Sequence, residues 1–259
     1  MEQNFRNTKK VFQKPTKIHP VLSLNTVGDD EMALSEHIEE FSQRLVFCLI
    51  ILTIATLFCF IDVREIVKIF QAPALGVKFL QFAPGEYFFA SVKIAAFCGI
   101  LISSPLVLYQ LFLYVVPGMT KSERDILLPV SLGSGLLFVV GLIFSYFFLV
   151  PAALNFFIAY GSDVIEPFWS FDQYFDFVAL LLFTTGLAFQ VPVVQVILGV
   201  LGIVSGEKML SAWKYVVVIC TIISAIITPS TDPVTQILMS TALLGLYLGG
   251  SGFVLLLNK

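Results

Sequence analysis

Six long apolar runs, separated by short polar segments, leave this chain very few ways to fold. They lie at about residues 45–61, 94–116, 126–150, 177–204, 215–228 and 234–257. The third continues as apolar sequence to Tyr160. Runs of this length match the ~20 residues a helix needs to cross a bilayer. Hydrophobic residues make up 58% of the 259-residue chain and charged residues 13%. A soluble domain is roughly half apolar and about a quarter charged, so the surplus here needs lipid as its solvent. The pattern predicts an all-α membrane protein of six transmembrane helices. Residues 1–31 read as a mobile polar tail, and 32–257 as one six-span domain.

The expected helices are not simple rods. Leu34, Ile38, Phe41 and Leu45 recur at helical spacing, so an amphipathic helix leads directly into the first span. Pro105, Pro129, Pro151 and Pro192 fall within or beside apolar runs and should kink them. Their freed carbonyls must then be covered by neighbouring helices. The fifth run is short for a span, and only Pro229–Pro233 joins it to the sixth. With the N-terminus inside, 11 of the 15 Lys and Arg fall on inside segments, which favours both termini inside. The first 44 residues are polar and hold no short apolar leader, so the protein is expected to work in the compartment where it is made.

Several chemistries are disfavoured. His19 and His37 both precede the first span, which excludes a His-based metal site in the membrane. Cys48, Cys59, Cys98 and Cys220 lie singly in apolar runs and read as small hydrophobes. Gly249–Gly252 matches the Gly-x-Ser-Gly of rhomboid proteases, but no span supplies the histidine base that such a serine needs. There is no phosphate-binding Gly-x4-Gly-Lys loop. No cofactor and no enzymatic activity are expected, and the composition argues against a nucleic-acid partner.

The polar residues carry the functional readings, each beside a plainer one. Glu40 and Glu123 fall on the same membrane face by topology. Two carboxylates there could grip guanidinium groups through charge-assisted bonds. Equally, Glu40 and Arg44 are four residues apart in the favourable order and could pair with each other. Gln110, Gln190 and Gln195 lie at membrane depth, where a glutamine is either functional or interhelical glue. Asp232 reads first as the cap of the sixth span. Gly245 and Gly249 form a small-residue packing face, for use within the chain or with a partner.

Ordered segments across about residues 33–253 resemble the TatC family. They are His37-Ile-Glu-Glu-Phe-Ser-Gln-Arg-Leu45, Gln71-Ala-Pro-Ala-Leu75, Pro105-Leu-Val-Leu-Tyr-Gln-Leu-Phe112, Val116-Pro-Gly-Met-Thr-Lys-Ser-Glu-Arg124, Phe144-Ser-Tyr-Phe147, Ala188-Phe-Gln-Val-Pro192 and Thr228-Pro-Ser-Thr-Asp232. Leu80–Phe89 resembles the cyanobacterial and plastid branch, and the 26 phenylalanines fit an AT-rich organelle genome.

The resemblance implies a concave, glove-like bundle with both termini on the cytoplasmic or stromal side. It implies a thylakoid rather than a bacterial plasma membrane. The implied function is the receptor core of the twin-arginine translocase, which binds signal peptides of folded precursors. TatA-like and TatB-like single-span partners would dock on spans five and six of an oligomeric complex, and the proton-motive force would drive transport. Glu40 and Glu123 stand at the family's signal-binding acids, with His37 and Arg44 beside them. Pro73, Pro105, Tyr114, Tyr146, Gln190 and Asp232 stand at supporting motif positions. Ser42 departs from the usual arginine, and Gln190 from the glutamate of many bacterial members. A proton-coupled solute carrier is the rival class, but the two halves show no convincing repeat.

Overall fold

The computed structural model describes residues 34–74, 77–115, 121–161, 168–228 and 232–257, with backbone alone for 34–37, 115 and 121–128. The expected tail over 1–31 lies outside them. Ten α-helices account for most of the described residues. They are α1 (Leu34–Ile61), α2 (Val63–Gln71), α3 (Glu86–Val115), α4 (Lys121–Phe144), α5 (Val150–Gly161), α6 (Phe171–Ala188), α7 (Val191–Val200), α8 (Gly206–Ser211), α9 (Trp213–Ile227) and α10 (Pro233–Leu257). Five stretches are long and apolar enough to cross a membrane: Ile38–Ile61, Glu86–Tyr114, Pro129–Gly161, Phe171–Val200 and Pro233–Leu257. α9 is the shorter sixth. Its 15 residues extend about 22 Å, against a hydrocarbon core of about 30 Å.

The bundle is apolar outside and partly polar inside. Leu49, Ile54, Leu57, Phe58, Leu132, Leu136, Ile222 and Ile226 are exposed, while Ser104, Ser134, Thr185, Ser224, Thr235 and Ser251 are buried. Lipid tails solvate leucine as well as a protein core does, so small residues that let backbones approach take the interior. At Gly99 an added Cβ would sit 2.9 Å from Thr56 Cα, so α1 and α3 approach closely there. The mostly buried α6 contributes Tyr174, Phe175, Val178, Leu181 and Leu182 to the main core.

Proline breaks set the helix shapes. Pro105 cannot bond the carbonyl four residues back, and Ser104 Oγ fills that gap by donating to Leu101 O at 2.7 Å. Before Pro151, residues Ser145–Leu149 form a wide π turn, so the third span bends without breaking. The fourth span does break, at Phe189–Gln190, where α6 ends and α7 restarts with Pro192 in its first turn. The sequence-based bounds of this span, 177–204, include that break and miss the first turn from Phe171. The second span likewise starts at Glu86, earlier than its apolar run at 94. Glu86 Oε2 accepts from the Phe82 and Ala83 amides at 2.6 and 3.1 Å, and Oε1 accepts from Ser170 Oγ at 2.8 Å. A charged residue thus opens the helix by bonding the preceding turn.

One feature departs from a purely helical architecture. β1 (Lys78–Leu80) and β2 (Phe168–Ser170) pair in parallel, Phe79 opposite Trp169. With α2 they form a cap over the ends of α3 and α6. Phe79 packs on Tyr174 and Phe171, and Tyr174 Oη donates to Phe70 O at 2.6 Å. Lys93 bridges Asp172 and Asp176 at 2.8 and 3.2 Å, fastening α3 to α6 just beneath.

Candidate functional site

α1 and α3 run antiparallel, as three contacts along their length show: Phe41 with Tyr114, Arg44 with Gln110, and Thr56 with Gly99. α4 returns beside α3, with Gly135 against Pro105. The start of α1, the end of α3 and the start of α4 therefore lie at the same end of the bundle, opposite the cap. Glu40 and Arg44 lie on α1 there, and Glu123 lies in the first turn of α4. The side chains of His37 and Glu123 lie outside the described residues, so their geometry toward Glu40 does too.

The described site is a compact polar group under an aromatic pair. Arg44 Nε donates to Glu40 Oε1 at 2.9 Å, and Nη2 donates to the same oxygen. Arg44 Nη1 donates to Gln110 Oε1 at 2.8 Å. Both charged side chains keep about a fifth of their exposure, 20% for Arg44 and 21% for Glu40. Gln110 is buried. Among the described residues Glu40 Oε2 has no hydrogen-bond partner, and it is sealed from solvent. A buried, unpaired carboxylate oxygen is costly, and it marks a place where a donor would be bound tightly. One turn nearer that end of the bundle, Phe41 on α1 packs on Tyr114 on α3, their rings 5.3 Å apart.

The other expected positions separate by location. Tyr146 lies in the π turn, and its hydroxyl donates to Ile69 O at 2.7 Å, which anchors the cap. Pro73 sits in the 3-10 turn after α2, also in the cap. Asp232 is buried at the cap end, where Oδ1 accepts from the Thr235 amide at 2.7 Å and Oδ2 from its hydroxyl. That is the expected N-cap of α10. Gln190 lies at the α6–α7 break and ties it to α4: Ser134 Oγ donates to Oε1 at 2.7 Å, and Nε2 donates to Ser134 O at 3.2 Å. Gln195 ties α7 to α10 by donating to Ser251 Oγ and Tyr247 O. All three membrane-depth glutamines join helices, and Gln110 does so as part of the Glu40 group, linking α3 to α1 through Arg44. Reading Gln110 by depth alone missed this, because its partner is 66 residues away in the chain. Gly245 and Gly249 face open space, so among the described residues nothing packs on their small-residue surface.

These features define a multi-spanning membrane protein with a polar cluster at one end. Residues 36–241 match the family model for the Sec-independent protein translocase protein TatC. The chain is 59% identical over 228 residues to the uncharacterized tatC-like protein ycf43 of Guillardia theta, covering 88% of this chain and 79% of that one. It is 50% identical over 233 residues to the chloroplastic Sec-independent protein translocase protein TATC of Pisum sativum, covering 89% of this chain and 66% of that one. It also resembles a crystal structure of the twin arginine translocase receptor TatC, with a TM-score of 0.70 and 34% identity over 85% of this chain and 98% of that one. The chain belongs to the TatC family. It is a Sec-independent protein translocase component, a multi-pass membrane protein of the plastid/thylakoid, and not a member of a catalytic enzyme family.

Proposed function

We propose that this chain is the signal-peptide receptor of its translocase. Glu40 and Glu123 would receive the two arginines of a twin-arginine signal peptide, and His37 and Arg44 would border that site. The observation that carries this reading is Glu40 Oε2, a carboxylate oxygen buried without a donor at the end of the bundle that also holds Glu123. Guanidinium supplies paired N–H donors and a permanent charge, which suits such an acceptor. The peptide's apolar segment would follow the lipid-facing side of the bundle.

The open faces of α9 and α10 suit single-span partners of the TatA and TatB type. Val218, Ile222 and Ile226 are exposed on α9, and Gly245 and Gly249 leave room for close helix approach on α10. By resemblance to the family, the driving energy would come from the proton-motive force acting on the assembled complex.

Photocrosslinking in membranes tests the receptor reading. A twin-arginine peptide should crosslink to the wild-type chain, and a twin-lysine peptide should crosslink much less. Glu40→Ala and Glu123→Ala should each weaken the arginine crosslink by about 1–3 kcal/mol, typical of a lost charge-assisted bond. Equal crosslinking by both peptides to all three chains would place recognition elsewhere.

A further inference from the structure

The Glu40 carboxylate already holds a guanidinium. Arg44, one turn further along α1, places Nε and Nη2 on a single oxygen, Oε1. Its remaining terminal nitrogen, Nη1, is held by Gln110 Oε1 on α3. Resting on the receptor role of Glu40, we propose that Arg44 is an internal competitor. It keeps Glu40 in a self-paired state that a ligand arginine must displace, and Gln110 is the latch that holds Arg44 there.

Three features support displacement over permanent pairing. First, the internal pair is incomplete. Arginine and carboxylate bind best fork to fork, with one N–H on each oxygen. Arg44 instead uses Oε1 for both donors and leaves Oε2 bare. Its attachment to the same helix, four residues away, restricts its angle of approach. An arginine on a separate chain has no such tether and can engage both oxygens. Second, displaced Arg44 is not stranded, because its side chain lies near the end of the bundle and already keeps 20% of its exposure, so it can turn toward water. Third, both side chains of the ion pair keep some exposure, so the pair can open without unpacking a helix.

A self-paired site lowers apparent affinity by the fraction of time that Glu40 is free. Removing the competitor should therefore tighten binding, whereas a merely structural role for Arg44 predicts weakening. The test is equilibrium competition for a labelled synthetic twin-arginine signal peptide on the full chain in nanodiscs. Arg44→Gln should bind roughly five-fold tighter, the equivalent of a modest, partly exposed ion pair. Gln110→Ala, which leaves every charge in place, should tighten binding by a smaller factor. That variant separates loss of the latch from loss of a positive charge, and it carries the test if Arg44→Gln does not fold. In a Glu40→Gln background both gains should vanish.

Arg44→Gln or Gln110→Ala binding no tighter than wild type, while Glu40→Gln still weakens binding, would overturn the competitor and leave the receptor reading standing. Wild-type affinity retained in Glu40→Gln alone would overturn the receptor reading, and the competitor with it.

Discussion

Asp232 separates a helix cap from a working acid, and the structure gives the size of the effect. Its carboxylate accepts the Thr235 amide at 2.7 Å and the Thr235 hydroxyl, at the start of a helix whose proline opening already lacks one N–H. Asp232 is 1% exposed and Thr235 0%. Asp232→Ala would remove a cap worth about 1 kcal/mol. It would also leave a buried amide and hydroxyl short of a partner, at about 1–3 kcal/mol. The expected loss is therefore about 2–4 kcal/mol. Asn caps as well as Asp does, and its amide can still meet a hydroxyl. Asp232→Asn should lose less than about 1 kcal/mol on that basis. The folded fraction in dodecyl maltoside with rising SDS, read by size exclusion, would rank wild type and Asn together well above Ala. If Asn falls as far as Ala, the negative charge itself holds the fold and the cap account is wrong. If Asn is fully stable but translocation stops, Asp232 has a role beyond capping α10.

Three further tests address helix shape, packing and surface. Ser104→Ala should cost about 1 kcal/mol beside Pro105 and little in a Pro105→Ala background, where a restored N–H fills Leu101 O; a double-mutant cycle in detergent reads this coupling. Gly250→Ala would push a methyl to 2.9 Å from Pro192 Cα and against the Gln195 amide, costing about 1–3 kcal/mol of chain stability. Gly249→Leu, with nothing within 4 Å, should leave the isolated chain stable and show any effect only as loss of partner subunits on co-purification.

The spans were legible because their signal is additive. Each sums many apolar residues, and no single position decides it. Their ends and breaks were not, because single interactions set those. Glu86 extends α3 outward through bonds to the two preceding amides and to Ser170, a residue far along the chain. The break at Phe189–Gln190 lies in a long, mainly apolar stretch whose Pro192 advertises a bend only. What places the break is Gln190 reaching Ser134 on α4, and Phe189 sitting against Gly141. The strand pair β1–β2 was invisible for a related reason: three-residue strands carry no usable periodicity.

Sequence offered two readings of Glu40, as a ligand's acceptor or as Arg44's partner, and treated them as alternatives. The geometry makes them compatible. Pairing with Arg44 takes one carboxylate oxygen and leaves the other buried without a donor. An ordinary surface pair would let water reach both oxygens, and the pair would be worth little. Here one oxygen is shut away from water, which raises the value of any donor that reaches it. The ion pair that argued against a site is therefore part of what makes the site incomplete. Chain spacing alone could not express this arrangement, because it depends on Gln110 arriving from α3 to accept from Arg44 Nη1 and so hold the internal pair in place.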